Sequence, residues 1–229
     1  NANDAISMIQ TADGALGVID EKLIRMKELA TQASTGTYTS DQRLIIDSEY
    51  QAMASEITRI ASATDFNGIY LLNGNLSGST HSGAGLNSTG KLKVHFGTGN
   101  LSAEDYYYVQ INNSTASALG VGIGAAGRAG RSISTQELAQ LALDKLNSAI
   151  VSKDKIRANL GALQNRLSNT VQNLQIQAEN LQAAESQISD VDVATEMTSF
   201  VRSQILSQSA IAMLSQANSL PRMATQLLG

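Results

Sequence analysis

From Ile9 the apolar residues fall at Ala12, Leu16, Ile19, Leu23, Met26, Ala30 and Ala33, in alternating steps of three and four. The same rhythm returns far down the chain at Ile156, Leu160, Leu163, Leu167, Val171, Leu174, Ala178 and Leu181, and Ile188 continues it one heptad later. A period of about 3.5 residues makes a narrow apolar seam that must be buried against another helix. Two such seams flanking a differently composed middle predict a mainly α chain. The predicted architecture is a long antiparallel helical coiled coil or bundle, a rod, with a small β-hairpin-containing middle region. A rod of this kind is a building block rather than a catalyst.

The first helix is expected over 4–35, ending at Gly36, a residue suited to a helix C-cap. A second is expected over 41–65. Thr39 and Gln42 have capping-box spacing, and Ile46, Tyr50, Met53, Ile57 and Ile60 repeat the four-three step. Over 73–132 the composition shifts to Gly, Ser, Thr and Asn. Within it Leu92, Val94, Phe96 and then Tyr107, Val109, Ile111 alternate with period two, which predicts a pair of half-buried strands. Residues 112–130 show neither period and read as an extended connector. Ser134 and Glu137 have capping-box spacing ahead of a long helix over 134–188, with an irregularity expected around Ser152–Lys155. Its regular part, from Ile156 to Ile188, corresponds to about 50 Å at about 1.5 Å per residue. A break is expected at Ser189–Val193, followed by a last helical segment. After Arg202 that segment carries a single charged side chain, Arg222, and its polar positions are Ser, Gln and Asn. Exposed helices ordinarily carry charge, so an uncharged one suits dense packing against other protein.

Composition narrows the functional classes. Of 229 residues 42% are hydrophobic but only 4% aromatic, with no Trp, which suits thin helix–helix seams better than a thick core. A net charge of −4 argues against nucleic acid, whose phosphates require a concentrated basic face. Cysteine is absent, which removes disulfides, thiol nucleophiles and cysteine metal sites, and fits export by a route where thiols are harmful. No basic-then-apolar leader opens the chain, so no cleaved signal is expected. The most apolar stretch, Ile205 to Leu214, is interrupted by Ser207, Gln208 and Ser209, so no membrane span is expected.

Candidate chemistry is sparse. Gly122-Ile-Gly124-Ala-Ala-Gly127 matches a dinucleotide-site pattern but lacks the strand–turn–helix frame, and reads as a connector. His81 and His95 are the only histidines and have no metal-ligand spacing; His95 is expected to face solvent from a strand. Asp190, Asp192 and Glu196 form an acidic cluster where a helix restarts, which the helix dipole explains. Asn-x-Ser/Thr triplets at Asn75, Asn87, Asn100, Asn112 and Asn113 follow from composition. No Ser-His-Asp arrangement or phosphate loop is present. Neither an enzyme nor a cofactor is expected.

Several blocks resemble bacterial flagellin. They are Ala2-Asn-Asp-Ala-Ile-Ser-Met-Ile-Gln-Thr-Ala-Asp-Gly-Ala-Leu16, Met26-Lys-Glu-Leu-Ala-Thr-Gln-Ala33, Phe66-Asn-Gly-Ile-Tyr-Leu-Leu-Asn-Gly74, Arg157-Ala-Asn-Leu-Gly-Ala-Leu-Gln-Asn-Arg-Leu167, Asn180 through Met197, and Leu214-Ser-Gln-Ala-Asn-Ser-Leu-Pro221. They occur in the family's order, and the resemblance covers nearly everything except 75–132. The resemblance implies a filament subunit, exported through the flagellum's own type III channel without a cleaved signal and polymerised outside the cell for motility. It implies an outer rod-like domain over 1–190 and half of an inner-core domain over 191–229, the family's preceding N-terminal helix being absent. It further implies that Val201, Ile205, Ile211, Leu214 and Leu220 form an assembly and chaperone-binding tail, disordered when uncovered. Expected partners are other flagellin subunits, an export chaperone on the tail, hook-junction and cap proteins, and Toll-like receptor 5, with no nucleic acid and no membrane. Arg25, Leu29 and Glu49 match the family's receptor-contact positions, with Ile24 in place of a more usual Gln. Rival readings are a hook–filament junction protein, a secreted enzyme on a helical scaffold, and a soluble secreted helical adaptor.

Overall fold

A computed structural model of the chain describes residues 1–82, 89–102, 104–122 and 130–227, with the backbone alone for Leu220 and 224–227. The elements are α1 (Ala2–Ala33), α2 (Ser40–Ala63), β1 (Asp65–Phe66), β2 (Ile69–Tyr70), β3 (Leu92–His95), β4 (Tyr106–Val109), α3 (Gln136–Ser189) and α4 (Val193–Leu227). The chain divides into two compact units, Asn1–Asn173 and Leu174–Gly229. It is mainly α, with two small antiparallel strand pairs.

In the first unit the α1 seam is buried along its whole length: Ile9, Ala12, Leu16, Ile19, Leu23, Met26, Ala30 and Ala33 are each 0% exposed. Burying a Leu or Ile side chain is worth about 2 kcal/mol, so the seam dominates this unit's folding. Ion pairs set its register. Arg157 holds Asp13, and Lys153 holds Asp20, so α3 runs down as α1 runs up. α2 is also antiparallel to α1, because Arg25 reaches Glu49 while Arg43 donates to the carbonyl oxygens of Ala33 and Thr35. Tyr50, Ala54, Ile57 and Ala61 complete the α2 contribution to the core.

Local chemistry accounts for the boundaries. At the start of α2 the Thr39 hydroxyl accepts from the Gln42 N–H while the Gln42 side chain accepts from the Thr39 N–H, the expected capping box. The start of α3 departs from expectation. Thr135, not Ser134, caps it, accepting from the Leu138 N–H at 3.3 Å, and the Ser134 hydroxyl is turned to Ser132. α1 ends at Ala33, with Ser34 closing onto the Ala30 carbonyl, before Gly36 is reached. No irregularity interrupts α3 at Ser152–Lys155. The helix is continuous there, and the charge that breaks the apolar rhythm is Lys153, buried in the seam itself.

β3 and β4 pair from Leu92↔Val109 to His95↔Tyr106. Val94 and Val109 face the core, whereas Lys93, His95, Tyr106 and Tyr108 share the opposite face. Phe96 and Gly97 both donate to the Asp105 carbonyl oxygen, which ends the ladder one residue before the expected run does. Residues 112–122 are more than a connector. Ser114, Ala116 and Val121 are fully buried, and Ser114 donates from its backbone to Leu72. The Tyr50 hydroxyl donates to the carbonyl of Gly130 at 2.8 Å. Gly130 has φ +83°, and a Cβ there would meet the Gly120 carbonyl oxygen at 2.5 Å, so glycine is required.

The second unit contains the end of α3 and α4. Here the predicted seam is not covered: Leu181 is 71% and Ile188 88% exposed. The expected break falls at 190–192. Asp192 restarts the helix, accepting from the Ala194 N–H and the Thr195 hydroxyl, and these bonds, that from Thr195 foremost, hold its carboxyl below the usual range. Pro221 lies within α4. Among the described residues no helix is long and apolar enough to cross a membrane.

Candidate assembly and recognition surfaces

Two surfaces contain the residues singled out from sequence. The first lies on α1 and α2. The Arg25 guanidinium bonds Glu49 through Nε at 2.9 Å and Nη2 at 2.7 Å, and Glu28 through Nη1 at 3.0 Å. Those bonds, Glu49 first, raise the Arg25 pKa further and keep it a fixed cation. Arg25, Glu28 and Glu49 are open to solvent, and Ile24 is 48% exposed beside them. Leu29 is different: at 2% exposure it belongs to the core, where it holds α1 in place rather than presenting a surface. Glu28 had no sequence signal beyond its three-residue spacing from Arg25.

The second surface is α4. Val201 is 45% exposed, and Ile205, Ile211 and Leu214 are 56%, 64% and 64%. The Leu220 side chain lies outside the described residues. Phe200, Leu206 and Met213 are equally open. At about 100° per residue, Leu214 lies about 180° around the helix from Ile205, so the apolar side chains do not form a single face. A helix apolar on several sides is made to be enclosed by other protein.

The seam also contains groups that sequence reading missed. Lys153 is 2% exposed, with Nζ 2.7 Å from both Asp20 and Asp154. Burial alone presses its pKa down, but the bonds to Asp154 and Asp20 outweigh it, so the ammonium is retained. The available signal was its position, since Leu146, Ala149, Lys153, Ile156 and Leu160 continue the three-four step.

Among the described residues no group of three or more His, Asp or Glu is placed to hold a metal. His95 stacks on Tyr106 and is half-buried rather than turned fully to solvent, and His81 Nδ1 lies 2.9 Å from the Lys91 carbonyl oxygen. Gly124 and Gly127 of the glycine pattern, and Asn87, lie outside the described residues.

Residues 1–77 match the bacterial flagellin N-terminal helical region, and residues 143–228 match the bacterial flagellin C-terminal helical region. The whole chain aligns with flagellin FlaB2 of Treponema pallidum (strain Nichols) at 39% identity, covering 77% of that protein. The chain belongs to the bacterial flagellin family. The flagellin of Bacillus subtilis (strain 168) is 38% identical over 79% of its length, and the flagellar filament 33 kDa core protein of Treponema phagedenis is 40% identical over 77%. A crystal structure of Bacillus cereus flagellin matches with a TM-score of 0.58 and 30% identity, over 80% of this chain and 93% of that one. FlgL of Xanthomonas campestris, at 14% identity and a TM-score of 0.51, shares the fold alone.

Proposed function

We propose that the chain is a structural subunit of an extracellular bacterial flagellar filament, polymerising with copies of itself to build the propeller for motility. The observation that carries this reading is the exposure of Val201, Ile205, Ile211 and Leu214 on a helix almost without charge. Monomeric proteins rarely leave this many large apolar side chains of one helix open. An open polymer, in which head-to-tail contacts never close, covers it on every copy. Relatives named flagellar filament core proteins support the same reading. In this reading residues 1–190 build the outer tube, and 191–229 contribute to the inner core. Before assembly, an export chaperone of the type III route covers the tail, and cap and hook-junction proteins meet it at the filament ends.

Seeded polymerisation tests the proposal. Sheared filament seeds of a related flagellin are offered the chain and its Ile211→Asp variant, with elongation followed by electron microscopy. Elongation that Ile211→Asp abolishes supports a filament subunit. Binding of the chain to seed ends without elongation would assign it to a junction instead.

A second reading concerns recognition. Arg25 and Glu49 are exposed neighbours on adjacent helices and match receptor-contact positions of the family, so we infer that this surface engages Toll-like receptor 5. Leu29 serves by positioning α1. Arg25→Glu is expected to reduce receptor-driven reporter activity at least about tenfold while leaving the circular dichroism spectrum unchanged. Full activation by the variant would remove this surface from recognition.

A further inference from the structure

The described residues carry three cation–π contacts, and all three involve the β3–β4 hairpin. Lys91 Nζ lies 4.3 Å from the ring centre of Tyr108, Lys93 Nζ 3.7 Å from that of Tyr106, and the Arg166 guanidinium carbon 3.6 Å from that of Tyr107. Among the described residues none of these cations has a carboxylate within ion-pair distance, although the chain has 20 acidic against 16 basic side chains. Lys93 bonds only an amide, the Asn100 Oδ1 at 3.2 Å. The rings therefore hold fixed positive charge toward solvent without neutralising it.

Beside this ladder lies a groove of about 500 Å³ between the hairpin and α3, within the first unit. Its walls are Tyr108, Gln110, Asn112, Asn159 and Arg166, with Leu163 among them. The volume is in the range of small-molecule sites. Gln110, Asn112 and Asn159 are exposed; the two asparagine amides each carry two donors and an acceptor, while Gln110 spends one donor on the Ser77 carbonyl at 2.8 Å. Such groups suit neighbouring hydroxyls, a tyrosine ring suits the C–H face of a pyranose, and a guanidinium suits a carboxylate held by two parallel bonds. One guanidinium in the groove wall, with Lys91 over the ring of Tyr108 in the same wall, matches a ligand bearing one carboxylate per ring. A phosphate chain would demand a denser cationic track.

We propose that this groove binds an acidic saccharide, a uronic-acid-type oligosaccharide, with Arg166 taking the carboxylate, Tyr108 the ring face and Asn159, Asn112 and Gln110 the hydroxyls. The site is independent of the filament reading, because every residue of it lies in one unit of one chain. In a polymer the same groove would recur on each subunit, which multiplies a weak single-site affinity.

The test is calorimetric titration of the full chain with trigalacturonate, its carboxyl-reduced counterpart and a short oligothymidylate. Saturable binding of trigalacturonate is expected, with the reduced sugar at least about tenfold weaker. Arg166→Gln is expected to cost about tenfold or more, and Arg166→Lys to recover part of it. Because Arg166 also packs on Tyr107, Asn159→Ala serves as the variant that leaves folding intact, and it too is expected to weaken binding. Absence of saturable binding would overturn the proposal, as would indifference to both Asn159→Ala and Arg166→Gln. Oligothymidylate binding as tight as trigalacturonate would also overturn it, by showing a general polyanion surface.

Discussion

Lys153 is the residue on which the α1–α3 pairing depends most specifically. An ammonium 2% exposed in an apolar seam is tolerable only because Asp20 and Asp154 both lie 2.7 Å away. Sliding α3 by one turn would carry it away from Asp20 and leave only Asp154 of its own helix, so the Lys153–Asp20 pair fixes register where hydrophobic contacts alone would allow slippage. Lys153→Ala is expected to destabilise the chain by about 2 kcal/mol, and Lys153→Met, which keeps the apolar stem, by about 1 kcal/mol, measured by urea unfolding. The Asp13–Arg157 pair is more open, at 39% and 40% exposure, so its contribution stays under about 1 kcal/mol. The bond from Arg157 is the first cause holding the Asp13 carboxyl below its ordinary value. That stability is therefore fully present above about pH 4 and is lost as the pH falls through the lowered folded-state pKa. As the pH falls from about 4 through that lowered value the urea midpoint is expected to drop, and less steeply for Asp13→Asn.

At the scale of elements, the ends of helices show how far local sequence reaches. The Thr39–Gln42 box is formed as its spacing indicates, because both partners are contiguous and nothing tertiary competes for them. Thr39→Ala is expected to cost about 1 kcal/mol in the same unfolding assay. At α3 the same spacing argument pointed to Ser134 and Glu137, yet Thr135 is the cap. Ile133 has to be buried, and its backbone N–H is claimed by Asp47 of α2 at 2.6 Å, which fixes the chain path one residue further on. The hairpin shows a similar division. Alternation located both strands, but the crowding of Phe96 and Gly97 onto the single Asp105 carbonyl, which ends the pairing, has no local signature.

For the whole molecule, the two units differ in what surrounds their apolar side chains. Residues of the seam are 0% exposed along α1, whereas Ile205 and Ile211 are more than half exposed on α4. Substitutions in the tail should therefore separate assembly from folding. Ile205→Asp is expected to leave thermal unfolding within about 0.5 kcal/mol of the parent while abolishing seeded elongation. A comparable loss of stability would mean that the tail is part of the fold rather than a contact kept for other copies.

The heptad rhythm alone determined that α1, α2 and the first part of α3 bury narrow apolar seams against other helices, while which helices meet was decided by the fold. The blocks around Met26–Ala33 and Arg157–Leu167 carried the family resemblance in the same way, being contiguous in sequence. What surrounds each residue was decided by tertiary structure. Leu29 reads as a surface position by resemblance and is buried, because α2 returns over that side of α1. Lys153 reads as an interruption and is a buried ion pair, because its partner Asp20 lies more than a hundred residues away. The groove at Arg166 had no sequence signal at all. It joins Tyr108 of a hairpin to Asn159 of a distant helix, and such a juxtaposition exists only after the chain has closed its long loops.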